Sequence, residues 1–104
     1  MRSIKLKRPD DWHIHLRDDQ YLARTVGDAA RYFNRVLVMP NLIPPVTTVE
    51  LAEDYRNRIL SHAPPNFSPL IALYLTDETD SSTIKKAAET SFTPSFKLYP
   101  AGAK

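Results

Sequence analysis

His13 and His15 stand two positions apart in Asp11-Trp12-His13-Ile14-His15-Leu16-Arg17. Trp12 to Leu16 alternate strictly between apolar and polar side chains, which is the period of a β-strand, so His13, His15 and Arg17 project to one face. Same-face neighbours on a strand lie about 6.6 Å apart along its axis. Two imidazoles at that spacing can turn toward one metal ion. Arg17, just beyond, carries the planar fork that grips a carboxylate through two parallel hydrogen bonds. A strand with two merely hydrogen-bonded histidines is the plainer alternative. Asp11 and Arg17 beside the pair strengthen the metal reading.

Two histidines do not close a zinc site, because catalytic zinc takes three protein ligands plus water. His62 is the only other histidine. It falls in the last turn of a predicted helix, where an imidazolium complements the helix terminus, so its role reads as structural. Cysteine is absent, which excludes disulfides and thiolate ligands. Further ligands must be imidazole, carboxylate or a modified lysine.

Lys97 lies between Phe96 and Leu98 in a short apolar segment. Burial there opposes the ammonium charge and favours a neutral, modifiable amine. An edge-strand lysine snorkelling to water is the alternative. Asn41 follows the run Val36-Leu37-Val38-Met39-Pro40. It therefore sits beyond the carboxyl end of a strand, where parallel α/β folds bind ligands. Its amide both donates and accepts, although an ordinary loop asparagine fits equally. Thr47 reads as a helix cap, Asp77 as a turn or cap residue rather than a general base, and Tyr74 and Tyr99 as packing residues.

These residues need a scaffold, and the hydrophobic pattern supplies one. Apolar or alternating pieces at 12–16, 36–39, 70–75 and 95–99 read as strands, and a short alternating piece precedes them at 3–6. Residues 20–33 switch to helical spacing, with Leu22, Val26, Ala29, Ala30 and Phe33 on one stripe. Thr47 and Glu50 form a capping box opening a second helix, with Ala52, Tyr55, Ile59 and Ala63 inward and Pro64-Pro65 as its stop. Asp80 or Ser81 caps a third, carrying Ile84, Ala87 and Ala88. The order β-α-β-α-β-α-β implies right-handed crossovers and a parallel sheet. Strands recur about every 25 to 35 residues, and eight such units give about 250 residues, the size of a (β/α)8 barrel. The chain is read as an α/β fold of that TIM-barrel family, with about the first four strands and three helices present. An open four-stranded α/β sheet is the alternative.

Composition narrows the partners. The 104 residues carry a formal charge of +2, are 42% hydrophobic and 25% charged, ordinary values for a globular chain and unlike a disordered one. No apolar run is long enough for a membrane span or a secretory signal. Basic residues do not cluster beyond Lys5, Lys7 and Arg8, so neither nucleic acid nor membrane is an expected partner. The cytoplasm is the expected compartment.

Three stretches together resemble dihydroorotase, a family of the amidohydrolase superfamily, and most closely its bacterial homodimeric type. They are Arg8-Pro9-Asp10-Asp11-Trp12-His13-Ile14-His15-Leu16-Arg17-Asp18, Val38-Met39-Pro40-Asn41-Leu42 with Pro44-Pro45-Val46-Thr47-Thr48-Val49-Glu50, and Phe96-Lys97-Leu98-Tyr99-Pro100-Ala101. The resemblance runs from about Arg8 to Gly102. One departure is Asp19, where the family commonly has glycine; that concerns a turn, not a ligand.

The resemblance implies that residues 1–104 are the amino-terminal half of a single (β/α)8 barrel domain holding two zinc ions at the carboxyl ends of its strands. His13 and His15 would bind the more buried zinc, and Lys97, carboxylated by carbon dioxide, would bridge both. Arg17 and Asn41 would hold the carboxylate of dihydroorotate or carbamoyl aspartate. The activity implied is the reversible cyclisation of N-carbamoyl-L-aspartate to L-dihydroorotate in de novo pyrimidine synthesis. The implied partners are that small-molecule substrate and a second copy of the complete enzyme. The family's other zinc-binding histidines, on the fifth and sixth strands, and its acid/base aspartate, on the eighth, have no counterpart in this sequence. No catalytic residue of that kind is expected here, and the chain alone is expected to be inactive. An open half-barrel also leaves an unpaired strand edge, so the isolated chain is expected to be marginal, aggregation-prone or dimeric. A hydantoinase or allantoinase shares the His-x-His pair and the carboxylated lysine; Arg17 and the Met39-Pro40-Asn41 context favour a carboxylate-bearing ring. A non-catalytic binding or assembly module is the rival from another class.

Overall fold

The structure, a computed structural model, describes residues 9–77 and 79–98. The strand expected at 3–6, the basic residues Lys5, Lys7 and Arg8, and the readings of Tyr99 and the residues after it lie outside them. In chain order the elements are β1 (Asp11–Ile14), a 3₁₀ turn (Asp19–Tyr21), α1 (Leu22–Tyr32), β2 (Arg35–Val38), α2 (Val49–Leu60), β3 (Ser68–Ile71), β4 (Leu73–Leu75), α3 (Ser81–Ala88) and β5 (Phe96–Leu98). Among the described residues every strand pairing is parallel: β1 with β2, β2 with β3, and β4 with β5. No described helix is long and apolar enough to cross a membrane.

Among the described residues the strands number five where four were expected. The apolar run read as one strand over 70–75 divides at Ala72. The Ala72 amide donates to the Val38 carbonyl at 3.0 Å, and the Leu73 amide donates to the Ser95 carbonyl at 3.0 Å. The chain thus changes partner from the β2 side to the β5 side within one residue. Both halves are apolar, so the change leaves no mark on the hydropathy pattern.

Packing follows the predicted stripes on the first two helices. Leu22, Val26, Ala29 and Ala30 of α1 and Val49, Ala52, Tyr55 and Ile59 of α2 are buried with Val36, Val38, Ile71 and Leu73 from the strands. Each large aliphatic side chain so removed from water contributes about 1.5–3 kcal/mol. The third helix departs from expectation: Ala87 is buried, but Ile84 and Ala88 are exposed. This eight-residue helix rests on the core through Ala87, and the buried Thr93 donates its hydroxyl to the Ala87 carbonyl at 3.1 Å.

Caps locate the helix starts. Asp80 caps α3 as predicted, its carboxylate accepting from the Thr83 amide at 2.9 Å. For α2 the cap is Thr48, whose hydroxyl accepts from the Leu51 amide at 3.2 Å. The Thr47 assignment is therefore corrected by one residue. Position 51 is leucine, so no reciprocal box forms, and Glu50 pairs with Lys86 of α3 instead.

Candidate functional site

The site assembles where β1, β2 and β5 end. The predicted strand reaches 16 but β1 stops at Ile14, whose carbonyl accepts from the Met39 amide at 2.8 Å. That bond ties the ends of β1 and β2 together. The His13 and His15 rings meet at 5.2 Å between centroids, inclined by 64°, so the imidazoles share one side as the alternation predicts. Asp11 accepts from the His13 backbone amide at 3.0 Å, which fixes the chain rather than extending the ligand set.

Arg17 reaches the same place by a route that alternation does not describe. Its φ is 61°, and that of Asp19 is 54°, both left-handed, where side-chain-bearing residues are uncommon. Four contacts hold this turn. The Thr25 hydroxyl donates to the Leu16 carbonyl. The Tyr55 hydroxyl donates to the Arg17 carbonyl. The Tyr21 amide donates to the Asp18 carbonyl at 3.2 Å. Arg58 forks onto the Asp18 carboxylate at 3.0 and 2.8 Å. Burial, with Asp18 nearby, pushes the Tyr55 phenol well above its ordinary pKa, so its hydroxyl remains a donor.

Asn41 follows the buried Met39 and Pro40. The Pro40 carbonyl accepts from the Leu42 amide at 2.9 Å and the Val46 amide at 3.1 Å, closing the loop behind Asn41. Lys97 stands opposite Tyr74 in the β4–β5 register. It is half-buried, and its Nζ donates to Asn41 Oδ1 across a long 3.5 Å. Lys97 thus combines features of both readings, half-buried beside Asn41 on a strand whose described pairing is with β4.

Electrostatics link these groups. Burial holds the His15 pKa below the usual imidazole value, and the charges of Arg17, Lys97 and His13 lower it further. The neutral imidazole so favoured is the metal-binding form. His15, Arg17, Asn41 and Tyr74, with Leu42, Ile43 and Pro45 as apolar walls, line a cleft of about 490 Å³. A second cleft of about 570 Å³ shares Arg17, Asn41, Leu42 and Ile43 and continues along Asp18, Asp19 and Tyr21. Tyr74, read from sequence as packing, is thus also a cleft wall. No sequence signal marked it beyond its place on the strand after which ligands bind.

The remaining candidates lie elsewhere. His62 is exposed in the turn after α2 and lines neither cleft. Asp77 is an exposed turn residue; with Thr47 and Thr76 it lines a separate cleft of about 460 Å³. Among the described residues no three His, Cys, Asp or Glu side chains gather as a metal-ligand group. The donors on hand for a cation are two imidazoles and the Lys97 amine. This set fits part of a zinc site and leaves it open to further ligands.

No protein-family model matches the chain. Dihydroorotase from Coxiella burnetii is 55% identical over 105 residues, covering 99% of this chain and 30% of that protein. The crystal structure of dihydroorotase from Campylobacter jejuni superposes with a TM-score of 0.85 at 39% identity, covering 98% of this chain and 30% of that one. Dihydroorotase from Saccharomyces cerevisiae, solved in complex with 5-fluoroorotic acid, gives a TM-score of 0.79 at 28% identity over 90% of this chain and 26% of its own. In sequence and in fold the chain is thus similar, over nearly its whole length, to dihydroorotases. It spans about 30% of the length of the curated relatives it matches.

Proposed function

We propose that this chain is the amino-terminal portion of a zinc-dependent dihydroorotase, a (β/α)8 enzyme that interconverts N-carbamoyl-L-aspartate and L-dihydroorotate. The observation that carries the reading is that His15, Arg17 and Asn41 line one cleft, with the His13 ring against His15 and the Lys97 amine directed at Asn41. Similarity to dihydroorotases over almost the whole chain supports it.

Each residue has a distinct task in this reading. His13 and His15 hold zinc through neutral imidazoles, which the low His15 pKa favours. Lys97 takes up carbon dioxide: the ammonium first loses one proton to solvent, the freed lone pair of Nζ bonds to carbon, a second proton leaves, and the cation becomes a two-oxygen carbamate anion. Zinc, when bound, lowers the pKa of water and polarises the amide carbonyl. Arg17 grips the substrate carboxylate with its fork. Asn41 directs its carbonyl oxygen toward Lys97, and its amide has the donor chemistry to meet a substrate carboxylate. Leu42, Ile43 and Pro45 provide the apolar wall for a ring. The acid ligand of the yeast neighbour agrees with a carboxylate-holding role for Arg17. The remaining ligands and the acid/base come from later strands, so this portion alone is inactive. The complete enzyme is a cytoplasmic homodimer.

The test is turnover by the full-length protein that carries this chain, on dihydroorotate and on hydantoin. Preference for dihydroorotate is expected. Preference for hydantoin moves the assignment to a hydantoinase-like enzyme, which would share the metal residues but not the carboxylate fork.

A further inference from the structure

Helix α2 grips the Arg17 turn at two successive residues. Tyr55 is fully buried at 0% exposure, and its hydroxyl donates to the Arg17 carbonyl across 38 residues of sequence. Three positions on along the same helix, Arg58 forks onto Asp18, and its guanidinium also lies over the Tyr55 ring at 5.3 Å. The turn needs such a grip. A non-glycine residue at φ 61° is sterically disfavoured, and left alone Arg17 would relax to extended backbone. Its carbonyl would then leave the Tyr55 hydroxyl, whose side chain is buried, and an unmet buried donor is costly. Helix and turn are energetically coupled for that reason. Tyr55 lines neither cleft, so it does not touch substrate.

We infer that Tyr55 is a positioning residue for substrate recognition: its hydroxyl locks Arg17 in the left-handed conformation that presents the guanidinium to the substrate carboxylate. The inference rests on the proposed role of Arg17. Holding the fork in place before the ligand arrives removes an ordering cost from binding. Loss of the lock therefore appears in KM and leaves metal binding by His13 and His15 untouched.

The experiment uses the full-length enzyme, with dihydroorotate as substrate. Tyr55→Phe keeps the ring and removes the hydroxyl; KM should rise about tenfold, the worth of one such hydrogen bond, with kcat and zinc content near wild type. The same change in an Arg17→Ala background should leave KM where Arg17→Ala set it. A purely structural Tyr55 would instead lower the yield of active enzyme with KM unchanged in both backgrounds, which overturns the inference. Should Tyr55→Phe fail to fold, Arg58→Gln removes the second grip from a side chain that is 45% exposed. It should raise KM about threefold through the lost fork onto Asp18, and only where Arg17 is present; an unchanged KM overturns the inference. If Arg17→Ala itself leaves KM unchanged, the carboxylate role of Arg17 is wrong and the inference falls with it. That failure is distinct from one in which Arg17 matters and Tyr55 does not.

Discussion

Nζ of Lys97 lies 3.5 Å from Oδ1 of Asn41, joining side chains 56 residues apart. Asn41 follows β2, β2 is tied to β1 through the bond between Met39 and Ile14, and β1 leads to His15. Three strand ends therefore meet at one point. Lys97→Arg keeps a cation there but removes an amine that can lose its proton and be carboxylated. In the full-length enzyme it should lower zinc content and bring turnover below detection. His13→Ala and His15→Ala should each empty one metal position. Metal analysis of the purified variants, read beside their activity, checks all three.

Arg17→Lys should separate substrate from metal. Lysine keeps the charge and loses the fork, so KM should rise by about tenfold to a hundredfold, the worth of a charge-assisted bidentate contact. Zinc content should stay near wild type. An emptied metal site in this variant would contradict the role given to Arg17.

Two backbone positions predict stabilising changes of opposite chemistry. Gly27 lies within α1, and a Cβ built there meets nothing within 4 Å. Gly27→Ala should stabilise the fold by about 0.5–1 kcal/mol through helix propensity. Asp19 is left-handed at φ 54°, at the position where the dihydroorotase resemblance expects glycine. Asp19→Gly should gain up to about 1 kcal/mol by relieving that conformation, less the larger entropy of the unfolded chain. Equilibrium denaturation of the single variants measures both.

Acid should weaken the start of β2. Asp10 accepts from the Arg35 side chain at 3.2 and 2.7 Å and from its backbone amide at 3.0 Å. Hydrogen bonding to the Arg35 guanidinium holds the Asp10 pKa below its ordinary 3.8. A carboxyl lowered in the folded state stabilises above its unfolded pKa and loses that contribution as pH falls through the folded value. Asp10→Asn should therefore be less stable than wild type at neutral pH. The gap should narrow as pH falls through the lowered Asp10 pKa, where both forms come to carry a neutral group. A gap that persists at low pH would show the pair to act by packing alone.

The sequence made legible what obeys a period. The alternation of Trp12 to Leu16 placed both imidazoles on one side, and the stripes of α1 and α2 named most of the buried residues. Contacts set by distant partners were not legible. Tyr55 was visible as a stripe residue, but nothing local shows that its hydroxyl ends on a carbonyl 38 positions away. Arg17 lines a cleft with His15, but not by the expected strand alternation, which stops before a left-handed backbone that a non-glycine residue does not advertise. The division at Ala72 was hidden because both halves of the run are apolar. The adjacent threonines at 47 and 48 offer the same cap chemistry, and the chain entering α2 selects the second.

The central claim is that His13, His15 and Lys97 serve one metal centre. Anomalous diffraction at the zinc edge from crystals of the full-length protein tests it most directly. The account predicts peaks about 2.0–2.1 Å from one nitrogen each of His13 and His15, with density for a carboxylated Lys97 reaching the same centre. An unmodified Lys97 turned to bulk solvent, with the imidazoles carrying no metal in an intact fold, would contradict it.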